Sequence, residues 1–281
     1  ELDIDSVSIF DNNCFSESKG AILIDFSGGT GLIETNWSNL SGYYSSNEDI
    51  SDLESGAYLL QLSDEFNCNL DTTFFVSQPD SLISSISKID ISCFSYSDGE
   101  IEVDIFGGVS PYNISWNNSL SDSSSIDNLS SGEYILTIID SNDCMISDTV
   151  ILSEPQELQL EESITNVLCK GQETGVIDIT VSGGTPQYQY QWSNSSTNED
   201  LLNAPAGNYI LNITDQNNCI LIKNYNINEP LLPLSVAANI TPILCFDENT
   251  GEIDISVFGG VGPYDLQWNN GGVSTTIIDL V

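Results

Sequence analysis

Four cysteines and four tryptophans recur along this chain at matched intervals, and that spacing limits its folds more than any other feature. Cys14, Cys93, Cys169 and Cys245 are 79, 76 and 76 residues apart, and Trp37, Trp116, Trp192 and Trp268 repeat the same three intervals. A Gly-Gly pair begins 14 residues after each cysteine, and the tryptophan falls 23 after it. Later come "SGAY", "SGEY" and "AGNY", closing on Tyr58, Tyr134 and Tyr209, each followed ten residues on by Cys68, Cys144 or Cys219. Pro79, Pro155 and Pro230 stand eleven residues beyond those cysteines. Independent landmarks in step mark a tandem repeat. The expected modules are 1–79, 80–155, 156–230 and 231–281, the last covering the front two-thirds of a copy. A motif made four times reads as structure, since an active site is needed once.

Within a module the apolar period is two. "GEIEVDIF" alternates Ile101, Val103 and Ile105 with Glu100, Glu102 and Asp104, and Ile22–Ile24–Phe26, Ile177–Ile179–Val181 and Ile253–Ile255–Val257 hold the same offsets. Tyr134, Leu136 and Ile138 alternate likewise, as do Tyr58, Leu60, Leu62 and Tyr209, Leu211, Ile213. Such alternation predicts strands with one face on a core and one in water. For residues 80–156 the expected strands are one within 82–92, then 100–106, 112–117, one or two in 119–129, 133–140 and 145–153. Six or seven short strands in about 76 residues predict an all-β chain, a tandem array of small immunoglobulin-like β-sandwiches. The glycines supply positive φ at the corner between the second and third strands. The tryptophans and the repeated tyrosines are the expected core aromatics.

The charge excludes whole classes of partner. There are 42 Asp and Glu against four Lys, no Arg and no His, a net charge of −38. Phosphate neutralisation needs cations, so nucleic acid is excluded, and an anionic membrane surface repels such a chain. No apolar run approaches the ~20 residues that cross a bilayer, so direct membrane insertion is not expected. No signal peptide is visible, and the chain opens in a strand and stops within a repeat. It therefore reads as a segment of a longer protein, with targeting signals elsewhere.

Seven cysteines fit two per module. Pairing within modules gives Cys14–Cys68, Cys93–Cys144 and Cys169–Cys219, with Cys245 paired beyond residue 281. Pairing across junctions gives Cys68–Cys93, Cys144–Cys169 and Cys219–Cys245. The first is preferred, because a bridge closing about 50 residues adds ~4 kcal/mol to a small sandwich with a thin core. It requires both cysteines at one pole, hence an even number of strands between them. Zinc is disfavoured by the wide cysteine spacing and the absence of His. Disulfides imply an oxidising, extracellular setting.

Other candidate chemistry is sparse. Tyr112 and Trp116 share a strand face with Ile114, as do Tyr188, Tyr190 and Trp192, and exposed aromatic strips can stack on sugars. A tryptophan on the third strand of a sandwich more often packs into the core. Asp64, Asp140 and Asp215 each stand four residues before a cysteine. Oxygen-rich loops of this kind can hold Ca²⁺, and they equally suit a hairpin turn. No ligand set stands out, so no cofactor is expected. Without His there is no nucleophilic triad, and no Ser or Asp context occurs once only. Catalytic and metal-ligating residues are therefore not expected.

The order Cys, "GEIEVDIFGGVSPYNISW", "LSSGEYILTIIDSNDC" resembles the SprB-type repeat, named for a gliding-motility adhesin of Bacteroidetes surfaces. The resemblance runs through every copy. The first module departs from it, lacking the proline and tyrosine after Gly29 and having a Trp-to-Gly interval three residues longer. The resemblance implies a secreted protein on the cell surface, exported by the type IX system and associated with the outer membrane. Its modules would form a non-catalytic stalk or adhesive segment that meets extracellular surfaces or polysaccharide. Contact with the motility and secretion machinery would lie in other parts of the protein. A calcium-stiffened filament or surface-layer subunit is the other use open to such an array.

Overall fold

The computed structural model describes residues 1–117, 122–245 and 247–281, and the fold is all-β. The first module contains β1 (Leu2–Phe10), β2 (Gly20–Gly28), β3 (Glu34–Ser38), β4 (Tyr44–Ser45), β5 (Ile50–Leu53), β6 (Gly56–Ser63) and β7 (Asn69–Val76). The second contains β8 (Ile83–Ile89), β9 (Gly99–Phe106), β10 (Asn113–Trp116), β11 (Ser125–Leu129), β12 (Gly132–Ile139) and β13 (Met145–Leu152). The third contains β14 (Gln159–Thr165), β15 (Gly175–Ser182), β16 (Gln189–Trp192), β17 (Leu201–Ala204), β18 (Gly207–Thr214) and β19 (Ile220–Ile227). The fourth contains β20 (Ser235–Thr241), β21 (Gly251–Phe258) and β22 (Thr276–Leu280). Part of the segment expected to hold strands at 119–129 lies outside the described residues; β11 occupies its end. Among the described residues no helix is long and apolar enough to cross a membrane.

Each of the first three modules is a sandwich of two antiparallel sheets. In the second, one sheet runs β8-β9-β11 and the other β10-β12-β13. The third repeats this as β14-β15-β17 and β16-β18-β19. The first differs only by β4, a two-residue strand on the edge of β3, which is where its longer Trp-to-Gly interval goes. Among the described residues the fourth shows the sheet β20-β21-β22.

Alternation places the apolar residues between the sheets. Ile101, Val103, Trp116, Leu136 and Ile138 form one buried core, Ile177, Ile179, Trp192, Leu211 and Ile213 a second, and Ile22, Ile24, Trp37, Leu60 and Leu62 a third. The acidic residues between them face water, so one strand serves both the core and the charge. By contact the chain divides into two compact units, residues 1–91 with 95–153, and residues 92–94 with 154–281.

β9 is antiparallel to β8 and β11, while β10 is antiparallel to β12. The corner after β9 leads straight into β10, so β10 and β11 run the same way and the chain changes sheets between them. Each module therefore begins at one pole, here the leading pole, and ends at the opposite, trailing pole. The β8–β9 loop lies at the trailing pole, where Ile91 N–H donates to Ser153 O (3.0 Å). The β9–β10 corner and the β12–β13 turn lie together at the leading pole.

Candidate functional site

The repeated residues converge on that leading pole. Gly107 and Gly108 have φ of +67° and +58°, and Gly183 and Gly184 of +75° and +57°. A Cβ on Gly107 would stand 2.0 Å from Ser81 O, so the first glycine is required by close backbone approach as well as by φ. The second glycine's N–H donates back to the start of its module, from Gly108 to Asp80 O (2.9 Å) and from Gly184 to Gln156 O (2.8 Å).

An aspartate fastens the corner to the hairpin turn. Asp140 Oδ2 accepts from Val109 N–H (2.9 Å), while its Oδ1 accepts from Asn142 and Cys144 N–H (both 2.9 Å). Asp215 does the same with Thr185, Asn217 and Cys219, and Asp64 with Thr30, Phe66 and Cys68. All three aspartates are buried. These oxygens work as backbone acceptors, the turn-forming use of an aspartate. The Cys68 N–H is the main cause holding Asp64 below the usual carboxylate range, against an opposing push from burial. At Asp140 burial pushes upward most strongly, and the N–H groups of Cys144, Val109 and Asn142 together outweigh it and leave the carboxyl low.

The aromatics are tied by their polar ends. Tyr58, Tyr134 and Tyr209 hydroxyls donate to the carbonyls of Glu54, Ser130 and Pro205, each four residues upstream. This is the tyrosine-corner arrangement of immunoglobulin-like sandwiches, a role beyond the core filling expected of them. Tyr112, Tyr188 and Tyr264 donate to the first glycine of their corners. Trp37, Trp116, Trp192 and Trp268 indole N–H groups donate to Glu48, Ser123, Asn198 and Ser274 carbonyls. Trp37, Trp116 and Trp192 are buried, and Trp268 is half-buried. The strip considered for sugar stacking faces inward, with Tyr112, Ile114, Tyr188 and Tyr190 packed against the cores. Burial, with Glu199 beside it, pushes Tyr190 up to about 12.

The disulfides correct the expected pairing. The bonds are Cys14–Cys144 and Cys93–Cys219, each with Cα atoms 5.7 Å apart, while Cys68, Cys169 and Cys245 are free and exposed. Cys14–Cys68, Cys93–Cys144 and Cys169–Cys219 do not form, nor do the pairings across neighbouring junction positions. The reason is polarity. Four strands separate Cys93 from Cys144, an even number, yet β10 and β11 run the same way and put the two cysteines at opposite poles. The eight residues of β9 span that gap, roughly 26 Å at strand rise, far beyond disulfide reach. A first cysteine sits at its module's trailing pole and a second at its leading pole. Each bond therefore joins the first cysteine of one repeat to the second cysteine of the next. Beside each bond an asparagine repeats one contact: Asn142 Nδ2 donates to Asn13 O and Asn217 Nδ2 to Ser92 O (both 2.9 Å).

A structure of the eight N-terminal immunoglobulin domains of Down syndrome cell adhesion molecule is 11% identical, with a TM-score of 0.43, over 79% of this chain. The match spans 36% of that eight-domain chain. A C-terminal intimin fragment in complex with the intimin-binding domain of its translocated receptor is 13% identical over 57% of this chain and 67% of its own, with a TM-score of 0.34. Likenesses this loose carry no functional argument. No curated protein matches the chain. The family model of the SprB repeat matches residues 85–121, 162–197 and 237–273, from the first strand of the second, third and fourth modules past the tryptophan. Over these three segments the chain is similar to the SprB repeat.

Proposed function

We propose that this chain is a non-catalytic stalk or adhesive segment of a large secreted cell-surface adhesin, serving surface attachment and gliding motility. The staggered disulfides carry this reading. They join consecutive repeats rather than sealing each one, which suits a segment that passes tension along its length and lives in an oxidising environment. The repeated aromatic and acidic residues support it too, being used in folding the corner. Extracellular surfaces or polysaccharide are the proposed contacts of the full protein, and its outer-membrane machinery would engage other regions. The repeat boundaries proposed for the segment are those of the spacing, 1–79, 80–155, 156–230 and 231–281.

Fab fragments raised against the purified chain test this on intact producing cells. Labelling without permeabilisation, together with loss of attachment on in-frame deletion of the repeats, is the expected result. Labelling that requires lysis overturns it.

A further inference from the structure

The first module differs from the second and third on the outer face of its β3-β6-β7 sheet. Trp37, Leu60 and Leu62 turn into the core, so their neighbours along each strand point outward. Register sets these outward residues in cross-strand rows, Glu34, Ser63 and Asn69 in one and Asn36, Gln61 and Asp71 in the next. In the second module Ile139 and Met145 hold the positions of Ser63 and Asn69. In the third, Ile220 and Ile222 hold those of Asn69 and Asp71. Of the three sandwiches, only the first is polar throughout both rows. Its extra strand widens the same face, for β4 pairs Tyr44 with the outward Ser38 and leads into Ser46. The rows, Tyr44 and Ser46 line a groove of about 640 Å³, a size typical of ligand sites. Tyr44 is 70% exposed. The Asn36 Oδ1 is buried and has no hydrogen-bond partner among the described residues.

We propose that this groove binds a neutral polysaccharide chain, an inference that rests on the adhesive reading above. A sugar offers hydroxyls, which both donate and accept, and apolar C–H faces. Amides answer both functions of a hydroxyl, carboxylates accept from it, and a tyrosine ring lies against the C–H face. The two rows supply the amides and carboxylates, and Tyr44 supplies the ring. A half-turn of the Asn36 amide toward a bound hydroxyl gives its oxygen the donor it lacks. Strands lie ~4.8 Å apart, so a row crossing four of them runs roughly 14 Å and meets more than one sugar unit. Charge narrows the occupant further. Glu34 and Asp71 are charged and no cation lines the groove, so uronic-acid and sulfated chains are repelled. A basic peptide has no reason to prefer this face, where uncharged groups outnumber carboxylates on a chain of net charge −38.

The test probes a printed array of neutral, uronic-acid and sulfated oligosaccharides with the full chain, then titrates the strongest binders by calorimetry. Binding to neutral oligosaccharides alone is expected. Tyr44→Ala and Gln61→Ala, at exposed positions, should each weaken it about threefold to tenfold with the thermal melt unchanged. Thr137→Ala, at the position of Gln61 in the second module, should leave it as it was. No neutral glycan bound, a preference for acidic glycans, or unchanged affinity in Tyr44→Ala and Gln61→Ala overturns the groove. Its failure is separable from that of the adhesin reading. Surface labelling with attachment lost on deletion would stand without glycan binding, whereas glycan binding by a chain labelled only after lysis would keep the groove and sink the adhesin.

Discussion

The second and fourth modules carry almost the same corner, "GGVSPYNISW" and "GGVGPYDLQW", in different surroundings. Both glycine pairs hold positive φ, and both tyrosines donate to the first glycine, at 2.7 and 2.6 Å. Both indoles donate to a nearby carbonyl, at 3.2 and 2.7 Å. Yet Asn113–Trp116 is a strand with its tryptophan buried, while 265–268 forms no strand and Trp268 stays half-buried. The corner is therefore a local product of its own residues. The strand that follows needs a hairpin beside it, since a ladder forms only against a partner.

That contrast can be broken most forcefully at the sulfur bridges, which involve the first three modules and leave the fourth untouched. Each closes a loop of more than 120 residues, for which chain entropy predicts about 5 kcal/mol. Reduction is expected to lower the urea midpoint of the first three modules, followed by hydrogen exchange, and to leave the fourth as it was. A non-reducing peptide map should pair Cys14 with Cys144 and Cys93 with Cys219; a Cys14–Cys68 peptide would sink the polarity argument.

Tryptophan truncation comes next. Trp192→Ala should cost about 3–5 kcal/mol by equilibrium denaturation, and Trp268→Ala under about 1, because only the former empties a closed core. Comparable losses would mean that the fourth module has a covered core after all. Removing the corner's fastening, Asp140→Ala, leaves buried N–H donors unpaired and should cost roughly 2–3 kcal/mol. Acid should act at the same place. The carboxyls of Asp64 and Asp140 lie below their ordinary value of 3.8 when folded. Their contribution is present above the unfolded value and lost as pH falls through the folded one. Melting temperature should thus hold from about pH 5 upward and drop below about pH 4. The smallest effect is expected at the hydroxyls, with about 1 kcal/mol lost in Tyr134→Phe and within about 0.5 in the exposed Tyr264→Phe.

The repeat, the strands and the corner were legible because each depends on near neighbours. Alternation marks Ile101 and Val103 as inward, and paired glycines mark a turn needing positive φ. The role of Asp140 was half visible, as a turn residue at a constant distance from Cys144. Its second oxygen bonds Val109, 31 residues away, and nothing local announces that. The disulfide partners were misread for a related reason. Counting strands between Cys93 and Cys144 assumes that each reverses direction, whereas β10 and β11 share one. Period and spacing record which face a residue takes, and they are silent on which way its strand points.

The bridging pattern also decides which parts of the polypeptide could ever be stretched. Pulled from residue 14 to residue 219, the chain would pass strain through Cys144, back along the backbone to Cys93, and across to Cys219. Residues 15–92 and 145–218 hang outside this shortest covalent route as slack. A tug strong enough to melt every sheet would draw out only the 93–144 stretch between those anchors, leaving the remainder coiled in reserve until a reductant cut the crosslinks.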